Sequence, residues 1–131
     1  MGVEFFEPEE INHDPGAGQP WQLDGLEFYL ARGKKNEMFD QYIFCAGPSY
    51  YAARYLPGKP PKMLPQPQWK SRIDGKTFFI EAAIPLKYEQ DDPQYNGFNA
   101  GRNRTGSKNA VYTLAPGNTF RNFAELKLVF D

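Results

Sequence analysis

Thr77 to Leu86, reading Thr-Phe-Phe-Ile-Glu-Ala-Ala-Ile-Pro-Leu, constrain the fold more than any other stretch of this chain. Phe78, Ile80, Ala82 and Ile84 recur every second residue, while Thr77, Phe79, Glu81 and Ala83 fall between them. Side chains alternate across a β-strand, so this spacing predicts a strand with one fully buried face. Asp74-Gly75 just before it is a hairpin turn signal, and Trp69 to Ile73 is the expected partner strand. Pro85 has no N–H to give to a ladder and should end the strand. The rest of the chain is expected to lay further strands around this hairpin.

Short apolar runs separated by Gly and Pro supply those strands. Val3–Glu7 is closed by Pro8, and Pro8–Pro20 is a polar loop. In Trp21–Ala31 a strand begins near Leu23, with Leu26, Phe28 and Leu30 on one face and Glu27 and Tyr29 on the other. Gly33–Glu37 reads as a turn, Phe39–Ala46 as a strand, Gly47-Pro48-Ser49 as a tight connection, and Tyr50–Leu56 as the next strand. Pro57–Pro67 carries five prolines and is expected to be an ordered surface loop. Lys87–Tyr95 is read as an irregular loop or a single helical turn. Gly97–Asn103, Ala110–Leu114 and Phe123–Phe130 are strands, separated by the turn Thr105-Gly106-Ser107 and the loop Ala115–Asn118. Many short strands between turn residues indicate an all-β, mostly antiparallel β-sandwich of the jelly-roll kind. The 131 residues are enough for one domain with a real core, 1–20 forming an extension or loop and 21–131 the module proper.

A net charge of −1 leaves no electrostatic footprint for nucleic acid or an anionic membrane. No run approaches the roughly 20 apolar residues of a membrane helix. Met1-Gly2-Val3-Glu4 lacks the basic and long apolar regions of a secretion signal. A Met-Gly start also needs Ser or Thr at the sixth position for myristoylation, and Phe6 stands there. The single Cys45 excludes an internal disulfide and lies in an apolar strand, where a small core residue is expected.

His13, the one histidine, lies beside Asp14 in a polar loop and lacks a positioned nucleophile, which argues against a triad. Asp14, Asp91 or Asp92 could hold structural calcium with backbone carbonyls, although no spacing resembles an EF-hand. Gly97-Phe98-Asn99-Ala100-Gly101 lacks the Lys-Ser/Thr pair of a phosphate loop. Asn103-Arg104-Thr105 matches a glycosylation sequon, a pattern common by chance. Glycosidase chemistry needs two carboxylates facing across a cleft, and Glu27 and Glu81 are the pair to examine, with solvated strand glutamates as the default. The aromatic content is more telling. Eight Tyr and two Trp supply rings that can stack on the C–H faces of sugars, next to Glu, Asn, Gln and Arg that can bond hydroxyls. Trp21, after a Gly/Pro loop, is the ring least needed by the core.

Trp21, Asp24 and Glu27 form a Trp-x-x-Asp-x-x-Glu motif, followed by Glu-Ala-Ala-Ile-Pro at Glu81–Pro85, Gly97-Phe98-Asn99 with Arg102, and Phe123 with Leu126-Lys127-Leu128. In this order the blocks resemble those of family-nine carbohydrate-binding modules and cover about residues 21–130. The resemblance implies a non-catalytic, extracellular or periplasmic sandwich that binds saccharide or polysaccharide. Such a module is often appended to a glycoside hydrolase and often carries structural calcium. It implies Trp21 as a stacking platform and Glu27 as a hydroxyl acceptor, with Asn99 and Arg102 as further polar partners. Family members usually have a second Trp before the closing strand; here Tyr112 or Phe120 would take its place. Ile43 and Cys45 stand about where sugar-binding members offer an Arg and an Asn.

Two functions of different kinds therefore stand: a saccharide-binding module, which requires an exposed Trp21 beside a polar groove, and a structural or protein-interaction sandwich. The second requires a buried Trp21 and an exposed apolar patch, and unpaired strand edges would allow it to form a homodimer.

Overall fold

The computed structural model describes residues 2–7, 9–32, 37–85, 95–104, 110–113 and 124–125. Its strands are β1 (Gly2–Phe6), β2 (Gly25–Arg32), β3 (Met38–Cys45), β4 (Tyr50–Tyr55), β5 (Lys62–Met63), β6 (Gln68–Asp74), β7 (Thr77–Ala83), β8 (Tyr95–Arg104), β9 (Ala110–Thr113) and β10 (Ala124–Glu125). Two single-turn 3-10 helices, Pro15–Ala17 and Pro20–Gln22, interrupt the loop between β1 and β2. Residues 33–36 of the expected turn Gly33–Glu37, the turn Thr105-Gly106-Ser107, residues 87–94 of the expected loop Lys87–Tyr95, the loop Ala115–Asn118 and most of the closing strand lie outside the described residues.

The strands form two antiparallel sheets. The smaller runs β1-β7-β6 and the larger β10-β8-β2-β3-β4-β5, with β9 also paired to β8. The hairpin read from the sequence is β6–β7. Its register pairs Asp74 with Thr77, so the connection is Gly75–Lys76, and Gly75 takes φ 57°, a backbone conformation that favours glycine. The expectation that this hairpin organises the molecule needs correction, because it belongs to the smaller sheet. The larger sheet is built on β2, which pairs along its whole length with β3 on one side and β8 on the other. Strand alternation reveals which face is buried, but the choice of neighbours depends on contacts distant in sequence.

Phe78, Ile80 and Ala82 of β7 pack against Leu26, Leu30, Tyr42, Phe44 and Ala52 of the larger sheet to form the core. At one end of this interface lies a buried charged cluster. Asp40 accepts from Arg32 Nη2 at 3.1 Å, from Tyr95 Oη at 2.5 Å, and from both Nε and Nη2 of Arg54, at 2.8 and 3.2 Å. A register shift after Ala31 places Arg32 opposite Tyr95, so four strands are tied at one point. The proline-rich stretch contains the short strand β5 at the sheet edge.

Candidate functional site

Residues opposed in an antiparallel ladder share a face. On the larger sheet the face turned away from the core therefore carries Gly25, Glu27 and Tyr29 of β2, then Gln41, Ile43 and Cys45 of β3. It also carries Tyr51, Ala53 and Tyr55 of β4 and Gly97, Asn99, Gly101 and Asn103 of β8. Here the structure brings together three residues expected from sequence, Trp21, Glu27 and Asn99.

Glu27 is only 3 % exposed. Its carboxylate accepts hydrogen bonds from Tyr29 Oη, from Asn103 Nδ2, and from Gln41 Nε2 at 3.3 Å. Gln41 Nε2 also donates to Tyr29 Oη, at 2.9 Å. The three donors are neutral and come from β2, β3 and β8. Burial, followed by the neighbouring Glu27 charge, pushes the Tyr29 phenol far above its ordinary range, so it remains a donor. Asn99 is fully buried. The default of a solvated strand glutamate thus fails for Glu27 and holds for Glu81. Glu81 is exposed and paired with Lys70 at 2.8 Å, which lowers its pKa through the hydrogen bond and the ammonium charge. Glu27 and Glu81 lie on the outer faces of different sheets with the core between them, so they do not form a facing acid pair.

Around this polar floor runs a continuous chain of rings. Trp21 meets Tyr51 edge-on, with centroids 5.7 Å apart and planes at 88°. The Tyr51 and Tyr55 hydroxyls are 3.0 Å apart, and Ala53, between them on the same face of β4, is fully buried. Phe39 stacks on Tyr55 at 4.7 Å and touches Tyr29 at 6.0 Å, which returns the chain to Glu27. Trp21 is 49 % exposed.

The loop before β2 holds Trp21 in place. Asn12 N donates to the Asp24 carboxylate at 2.7 Å, Asp24 N donates to Asn12 O at 2.9 Å, and Ala46 N donates to Asp24 O at 2.7 Å. The Asp of the motif is therefore a staple between loop and sheet. Cys45 Sγ donates to Pro20 O at 3.4 Å, and Leu23 packs on Ile43 and Cys45, so the Pro20–Gln22 turn sits on this same face. Cys45 is fully buried, and burial together with the Glu27 charge pushes its thiol up to about 12.

The remaining expected residues lie elsewhere. Arg102 is on the core-side face of β8, where it pairs with the fully buried Glu7 and donates to Phe6 O at 2.9 Å. Tyr112 is fixed in register opposite Arg102, and its side chain lies outside the described residues. Phe120, Asp91 and Asp92 also lie outside them. The Asp14 carboxylate accepts from Gly16 N at 2.8 Å, capping the Pro15–Ala17 turn, and His13 Nδ1 lies 3.0 Å from Ile11 O. Among the described residues no group of three or more His, Cys, Asp or Glu is placed to hold a metal ion.

Gln41 and Asn103, which sequence reasoning missed, complete the floor. Asn103 carried a signal, since it lies two strand repeats from Asn99. Gln41 carried none, because its place opposite Tyr29 is a matter of register. A separate depression of about 520 Å³ lies on the outer face of the smaller sheet. Its lining mixes Glu4, Lys70, Arg72 and Glu81, and its ring, Phe79, is capped by the Arg72 guanidinium at 4.3 Å. Such a solvated, charge-mixed face offers a ligand less than the ring-lined one. Comparison with protein-family models, curated proteins and solved structures found no match for this chain.

Proposed function

We propose that the chain is a non-catalytic saccharide-binding module whose ligand stacks on Trp21. The observation that carries this reading is a half-exposed Trp braced edge-on by Tyr51, at the rim of a sheet face rich in Tyr. A large apolar ring costs free energy when left in water, and a sugar C–H face is a partner suited to it, with nearby hydroxyls to fix orientation. Glu27, Asn99 and Asn103 serve this site as a preorganised floor that holds Tyr29 and Gln41 in place. A location outside the cytoplasm, attachment to a glycoside hydrolase and structural calcium belong to the same reading and rest on the resemblance.

A second reading, an interaction sandwich, draws on the exposure of Phe6 and Met63, 62 % and 60 %, on edge strands β1 and β5, while the half-exposed Trp21 runs against the buried one it requires.

Tryptophan fluorescence separates the two. Trp69, the other Trp, packs partly buried on Phe44 at 5.6 Å on the smaller sheet, so the Trp21→Ala protein is what assigns a change to Trp21. Titration with a panel of mono- and oligosaccharides should give a saturable change that is absent in Trp21→Ala. No change with any sugar, in a folded protein that self-associates on dilution-dependent sedimentation, would favour the interaction reading.

A further inference from the structure

The outer face of β3, β4 and β5 carries no charge. These strands hold three ionisable residues of fixed sign, Asp40, Arg54 and Lys62, and all three fall at alternate positions that turn to the other face. The side turned away from the core carries Phe39, Gln41, Ile43 and Cys45, then Tyr51, Ala53 and Tyr55, then Met63; Ile43, Cys45 and Ala53 are fully buried, so the rings, Gln41 and Met63 are what a ligand would meet. Trp21 adds a further ring beside Tyr51. The strip from residue 51 to residue 55 extends about 13 Å at the ordinary strand rise, longer than one sugar ring.

We propose, building on the saccharide-binding reading, that this strip takes the interior of an uncharged, linear polysaccharide chain laid along β4. Two features argue for an extended interior segment over a chain end. Capture of an end needs convergent polar groups in a pocket, and here Glu27 and Asn103 are buried and bonded within the network. The groups within reach of solvent instead follow β4, Trp21 beside Tyr51 and then Tyr55, with Met63 alongside them opposite Ala53 on the edge strand. The Tyr51–Tyr55 hydroxyl pair can both donate to and accept from sugar hydroxyls. Gln41 spends Nε2 on Tyr29 and Glu27, so its Oε1 is the acceptor left for a ligand. Neutrality of the ligand follows from the strip: among its described residues an acidic glycan would meet no Arg or Lys and would lose its water without compensation.

The test measures binding by affinity electrophoresis and calorimetry to neutral xylan, mannan and β-glucan and to acidic polygalacturonate and alginate. Mono- to hexasaccharides of whichever polymer binds follow. Met63→Glu places a charge on the strip at an exposed position that carries little of the fold, and Phe79→Ala on the other sheet is the control. The expected result is binding to a neutral polymer, about ten-fold tighter or more for a tetrasaccharide than for a monosaccharide, weakened several-fold by Met63→Glu and unchanged by Phe79→Ala. Trp21-dependent binding that is equal for monosaccharide and polymer, or indifferent to Met63→Glu, overturns the strip and leaves saccharide binding standing. Preference for an acidic polymer overturns neutrality. Failure of the folded protein to bind any saccharide overturns the reading beneath both.

Discussion

At the scale of single residues, Trp21 and Glu27 share a motif but differ in kind. Trp21 is half in water and touches Tyr51 by one edge, so Trp21→Ala should cost about 1 kcal/mol of stability or less. Glu27 is a buried carboxylate that only accepts, and Glu27→Gln sets an amide N–H₂ against the donors of Tyr29, Gln41 and Asn103. That change should cost about 1–3 kcal/mol through unmet hydrogen bonds, read by urea denaturation. If Trp21→Ala were the more destabilising of the two, the assignment of Glu27 to the floor and Trp21 to the ligand surface would be reversed. Cys45 gives a second check. With its thiol pushed up to about 12, the folded protein should resist thiol reagents at neutral and mildly alkaline pH and react promptly once unfolded. Rapid labelling of the native state would mean that the Pro20–Gln22 turn does not cover it. The burial of Cys45 could be read from its apolar neighbours in sequence, whereas the burial of Glu27 could not, since one charged residue in an alternating strand looks the same whether water or a second layer lies above it.

Among the elements, β2 is where sequence and structure differ most in emphasis. Its alternation of Leu26, Phe28 and Leu30 was legible, but its place between β3 and β8 was not. Gly25 at its start makes that placement possible. A Cβ there would stand 2.5 Å from Phe44 O and 3.0 Å from Cys45 Cα, both in the backbone of β3. Gly25→Ala must therefore push the strands apart, at about 1–3 kcal/mol for overpacking, and should also disturb Trp21, whose turn rests on Cys45. Gly75→Ala meets open space and costs only its left-handed backbone, about 1–2 kcal/mol. Both can be measured by thermal melting, with fluorescence of the Trp21 environment as the second readout. A Gly25→Ala protein with unchanged stability and fluorescence would show that the close approach of β2 and β3 is not needed. The β6–β7 hairpin, by contrast, was read almost to the residue, since a two-residue turn and an alternating strand are both local.

For the molecule as a whole, tyrosines set an alkaline limit, Tyr29, Tyr42 and Tyr95 being buried and Tyr55 partly buried. Tyr29, Tyr42, Tyr55 and Tyr95 are raised above the ordinary phenol value, with burial as the first cause in each and Tyr95 pushed up to about 12. A group whose folded pKa is raised holds its proton more tightly in the folded state. Its contribution is fully present below the unfolded pKa of about 10 and is lost as pH rises beyond that. Stability should therefore be level from neutral pH to about 9 and decline above about 10, with tyrosinate absorbance appearing together with unfolding. A gradual titration of Tyr29, Tyr42 and Tyr95 in a folded protein would contradict their burial.

The sequence by itself determined the fold class, most of the strands and the inward side of β2 and β7, because alternation, turn residues and proline act over a few positions. It also singled out Trp21 as a ring the core did not need. Only the tertiary structure decided that β2 is central, that Arg102 belongs to Glu7 on the core side while Glu27 and Asn99 lie beneath the outer face, and that Gln41 and Asn103 join them. Those facts depend on register and on sheet order, which are fixed by the packing of segments far apart in the chain, and no local pattern carries that information.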